Sequence, residues 1–175
     1  MPAISANMSN DSNALVLNTE ERGTKLSFGL YDFSMNVSSA TGDIDRLAKQ
    51  VNLLSLGLRQ AGDNLKKYGT LPSAEAWNTV SHISLLCREA FQDIERMVPV
   101  QQLQDAQKTG SFGGDVALVT RLRDELDWNA LSKSKAMYLL EHLESLKLTL
   151  SVMSQTLYTA NSIAWSRYVM ISVTL

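Results

Sequence analysis

Between residues 136 and 164 apolar side chains fall at Ala136, Leu139, Leu143, Leu146, Leu150, Met153, Leu157, Ala160 and Ala164. Steps of three and four place them all on one stripe of a helix and leave Lys135, Glu141, Glu144 and Gln155 for water. A second seam of the same period runs through Ile44, Leu47, Val51, Leu54, Leu58, Ala61 and Leu65. A helix cannot cover its own apolar stripe, and packing two stripes side by side covers both. The chain is therefore expected to be all-α, an antiparallel bundle of four to five helices.

The 175 residues are enough for one domain that buries roughly 70% of its unfolded surface. Residues 1–22 are rich in Asn, Ser and Thr, with Leu15-Val16-Leu17 as their one apolar patch, and read as a disordered N-terminal arm. The bundle proper is expected over residues 23–164. Its first segment repeats Leu26, Leu30, Phe33, Val37 and Ala40 at helical spacing. Thr41-Gly42-Asp43 then interrupts, while the seam stays in phase from Ala40 to Ile44. That leaves a kinked long helix or two helices meeting nearly end to end.

The second segment fades at Lys66-Lys67-Tyr68-Gly69, with two lysines complementing the helix dipole. Pro72-Ser73 opens a third helix whose seam is Ala76, Val80, Ile83, Cys87, Ala90, Ile94 and Met97, flanked by Trp77, Phe91 and Val98; Pro99 ends it. Residues 100–114, with Gly110-Ser111-Phe112-Gly113-Gly114, read as a loose connection. A shorter helix is expected from Asp115 to about Asp127, with Val116, Val119, Leu122 and Leu126 inward. Residues 165–175 form an apolar C-terminal tail, and only Val169–Val173 alternates in the manner of a strand.

Reactive groups do not converge. A zinc site needs three or four ligands, and neither His82 nor His142 has companions at ligand spacing. A di-iron bundle needs Glu-x-x-His on two helices, whereas here Glu141 directly precedes His142. Cys87 sits mid-helix on an apolar seam, where a thiol is a small core residue and not a nucleophile. The glycine-rich stretch lacks the Lys and Ser/Thr of a phosphate-binding loop. The reading is therefore no enzyme, with no catalytic, cofactor-binding or metal-binding residue.

A net charge of −2 gives no general attraction for nucleic acid. Arg121, Arg123, Lys133, Lys135 and Lys147 are balanced by Asp124, Glu125, Asp127, Glu141 and Glu144 on a mixed-charge face. One cysteine excludes an internal disulfide and suits a reducing compartment. With no bilayer-spanning apolar run and no leader-like start, the expected location is the cytoplasm.

The run Arg121-Leu122-Arg123, Leu126-Asp127-Trp128, Lys133-Ser134-Lys135 and Leu139 to Leu150 resembles a particular family. It is similar to the N-terminal helical domain of fungal STAND-type (NOD-like) receptors and related ankyrin-repeat proteins, known also from a protein of an azaphilone pigment cluster. Leu143, Leu146, Lys147 and Leu150 fill the family's Leu-x-x-Leu-Lys-x-x-Leu pattern. Tyr31 to Leu58 resembles its first half, as does Leu86-Cys87 before Phe91 and Ile94. The likeness covers about residues 26–162.

Two features depart from the pattern. The first 22 residues are polar where the family begins with an apolar helix of small residues, and no nucleotide-binding or repeat module follows. In the related HeLo-type domains that first segment is credited with membrane insertion. The resemblance implies a helical protein–protein interaction domain in signalling or self/non-self recognition, with a HeLo-type membrane-active domain as the alternative. It also implies a stand-alone version or a shortened product of a larger architecture. A protein partner or self-association is expected. The apolar excess at Trp165, Tyr168, Met170 and Ile171, beside Val169 and Val173, marks the candidate contact.

Overall fold

A computed structural model describes the backbone of residues 3–36, 41–67, 74–98 and 130–173, and side-chain burial over 11–35, 42–67, 75–98 and 132–166. The described residues form four helices: α1 (Ala3–Asn36), α2 (Thr41–Lys67), α3 (Ala74–Met97) and α4 (Ala130–Val173). Among the described residues there is no strand, and the expected all-α bundle is what forms. The short helix expected over 115–127 lies outside the described residues, as does Trp128.

The α2 seam is buried throughout, from Ile44 to Leu65, and so are Val80, Ile83, Cys87, Ala90, Phe91 and Ile94 of α3, with Val98 just past its end. On α4 the buried residues are Ala136, Leu139, Leu143, Leu146 and Leu150. All of these belong to one core, with Met153 and Leu157 packed on its edge. Beyond Leu150 the α4 seam loses its cover, and Ala160 is exposed.

The chain reverses between α1 and α2, so Thr41-Gly42 is neither a kink nor an end-to-end junction. A Cβ on Gly62 would lie 3.1 Å from Val16 Cγ1, and Gly23 backs onto Ser55. Near the turn, the Ser34 hydroxyl lies 3.2 Å from Asp45 Oδ1. Residue numbers climb along α1 as they fall along α2, which is an antiparallel hairpin.

Residues 11–22 are not a disordered arm either; they are part of α1. Val16 is fully buried and Thr19 nearly so, its hydroxyl donating to the Leu15 carbonyl at 2.8 Å. The stripe Val16, Thr19, Gly23, Leu26, Leu30 and Phe33 keeps helical period with polar and small residues at two of its positions. Arg22 ties this half of α1 to α3, donating through Nε to Glu95 Oε1 at 3.2 Å and pairing its Nη2 with Oε2.

Against α2, α4 runs in the same direction. Lys147 Nζ donates to Gln50 Oε1 at 2.9 Å, and a Cβ on Gly57 would meet Leu150 Cδ1 at 3.7 Å. If α4 ran the opposite way, Gly57 would face residues near 140, about 15 Å along the axis from Leu150. The principal neighbours of α1 are α2 and α3, and those of α4 are also α2 and α3. That puts α1 and α4 at opposite corners of the bundle.

Candidate functional site: an uncharged groove and helix face on α4

From Leu148 to Ser166 no residue is charged; Lys147 and Arg167 bracket the run. Such a stretch on a helix would ordinarily be covered. Instead Leu148, Val152, Tyr158, Ile163 and Trp165 are all more than half exposed, and no residue from 151 to 166 is buried. Single exposed apolar residues need no explanation, but a cluster of them without a charge marks a contact surface.

Beside this face lies a groove of about 660 Å³ between α2 and α4. Leu53, Leu56, Gly57, Gln60 and Asn64 line it from α2, and Lys147, Leu150, Ser151, Ser154, Gln155 and Tyr158 from α4. Its breadth follows from residue size. Gly57 carries no side chain toward Leu150, and Ser151 and Ser154 keep the opposite wall low. Leu150 is its buried lining residue, while exposed Leu53, Leu56 and Tyr158 line it beside amides and hydroxyls. Lys147, the one charged lining residue, is occupied by Gln50 and by Glu144 at 3.5 Å. Such a surface suits an uncharged, partly apolar occupant.

Of the residues expected to make contact, Trp165 is 66% exposed on α4. Tyr168, Met170 and Ile171 lie on the same helix, which continues to Val173 in place of a separate tail or strand; their side chains fall outside the described burial. Tyr158 and the groove were missed by the sequence reading. An exposed tyrosine seven residues before Trp165 was a usable signal; a groove made by a missing side chain was not.

His82 is exposed, and the His142 ring stacks on Tyr138 with centroids 6.3 Å apart. Among the described residues no three His, Cys, Asp or Glu side chains are grouped to hold a metal ion. Cys87 is buried, and its thiol is pushed up to about 12 by loss of solvent, which keeps it protonated. No helix among the described residues is long and apolar enough to cross a membrane. No family model, curated protein or solved structure matches this chain.

Proposed function

We propose that this chain is a non-enzymatic helical interaction domain working through protein–protein contacts in signalling, as its resemblance to the N-terminal domain of fungal NOD-like receptors implies. The observation that carries this reading is the exposed, uncharged face of α4 over residues 148–166. A face with that composition contributes free energy when another apolar surface covers it, at about 25 cal/mol per Å². It gives nothing to chemistry.

Photo-crosslinking in extracts of the source cells tests the reading. A benzophenone side chain at position 163 is expected to give a discrete protein adduct, whereas one at the exposed, charged position 46 gives none. Absence of adducts from both positions overturns the reading. So does release of dye from anionic lipid vesicles by the intact protein, which is the mark of a membrane-active domain.

A further inference from the structure

The geometry points to a second copy of this chain as the occupant of the α2–α4 groove, each copy seating its Trp165 in the groove of the other. The inference rests on the interaction reading above and gives it a definite partner.

Along one line of α4 stand Ser151, Tyr158 and Trp165, spaced by seven residues and so on one face of the helix. Small, large and large follow one another, and Tyr158 lies midway. An antiparallel second α4 centred on Tyr158 brings each Trp165 onto the other copy's Ser151, where the groove floor is Gly57 and Leu150. Ser154 then faces the second copy's Ser162, so the backbones can approach closely, and the two Tyr158 rings meet at the dyad. This is an isologous contact, closed by one two-fold axis.

Charge favours a like partner. The face has no charged residue from 148 to 166, so its pairing with itself sets no like charges together; a charged foreign surface would lose hydration there without compensation. Size also fits. A groove of about 660 Å³ is within the roughly 300–1,000 Å³ of sites that hold small-molecule ligands, ample for an indole side chain. Tyr158 and Trp165, 64% and 66% exposed, together offer roughly 200–320 Å² per copy, from about 150–250 Å² for each full side chain. A standard interface takes about 800 Å² per partner, and the groove walls at Leu53, Leu56 and Gln155 supply part of the rest.

The test is sedimentation velocity on the full chain from about 1 to about 500 μM, the range in which an interface at the small end of the scale associates. A reversible dimer is expected. Trp165→Ala should weaken it at least about tenfold with an unchanged circular dichroism spectrum, since exposed aromatic anchors carry most of such contacts. Register is read by disulfide formation between Ser154→Cys and Ser162→Cys proteins. The mixture is expected to crosslink and each variant alone is not; the buried Cys87 does not interfere. A monomer throughout the range overturns the inference, as does a dimer in which each variant crosslinks to itself, the mark of parallel pairing. If the monomer still gives a foreign-protein adduct at position 163, the interaction reading stands without self-docking. If it gives none, both fall.

Discussion

At Gly23 of α1, residues of α2 and α3 both come close. A Cβ there would overlap Ser55 Oγ and stand 2.6 Å from Phe91 Cε2, and both neighbours are fully buried. Gly23→Ala gains about 1 kcal/mol of helix propensity. It also forces overpacking that typically costs about 1–3 kcal/mol, and the rigid Phe91 ring makes the second effect the larger. Net destabilisation is expected in urea unfolding. Gly42 is the contrast: an added Cβ meets nothing within 4 Å, so Gly42→Ala should stabilise by roughly 0.4–1 kcal/mol. Cys87 gives a prediction in pH. Its thiol ionises near 9.0 in the unfolded chain and at about 12 when folded, because burial disfavours the thiolate. Below 9 both states keep the proton and its contribution is fully present. Between the two values the unfolded chain has released a proton that the fold retains. Stability is then lost as pH rises, by up to roughly 1.4 kcal/mol per unit. Wild type should therefore lose stability more steeply than Cys87→Ala above pH 9, and parallel curves would show the thiol to be exposed.

At the scale of one helix, α4 has two unlike faces. Leu146 is 5% exposed and Leu148 is 66% exposed. Leu146→Ala should cost roughly 2–5 kcal/mol in chemical unfolding, and Leu148→Ala no more than about 0.5. Equal effects would mean that the helix is rotated. For α1, removing residues 1–22 deletes the buried Val16 and the Arg22–Glu95 pair. A loss of at least about 2 kcal/mol is expected from burial alone, whereas a disordered arm would leave the unfolding midpoint unchanged. These two helices show what the sequence could reveal. The α2 and α3 seams were legible because their buried positions are filled by Leu, Ile, Val and Ala. The first half of α1 was hidden because its contact positions hold Thr19 and Gly23, where tertiary packing overrides propensity. On α4 the period announced a stripe through Ala164, but period says nothing about whether a neighbouring helix continues alongside. The direction of α4 relative to α2 depends on the path of the chain between α3 and α4, which no local pattern encodes. Of the candidate site, Trp165 was legible as part of the apolar excess after residue 164; the groove depends on Gly57 and two serines leaving space.

For the whole molecule, the formal charge of −2 is small, and Lys147 is the one charged residue lining the contact groove. The exposed ion pairs Lys25–Glu21 and Arg96–Asp93 lie on α1 and α3, and Glu21 is held below the usual carboxylate range by Lys25. Pairs of that exposure are weak and screened by salt, so they neither drive association nor steer it. The uncharged α4 face should behave in the opposite way, because covering apolar surface does not depend on the Debye length. Its association constant is expected to change less than about threefold between 50 mM and 500 mM sodium chloride, and to rise in sulfate, which strengthens burial by exclusion from the protein surface. Sedimentation at fixed protein concentration across the two salts measures this directly. An association that fell tenfold or more on adding sodium chloride would place the contact on the charged faces of α1 and α3. In that case Tyr158 and Trp165 would be bystanders, and Trp165→Ala would leave the dimer intact.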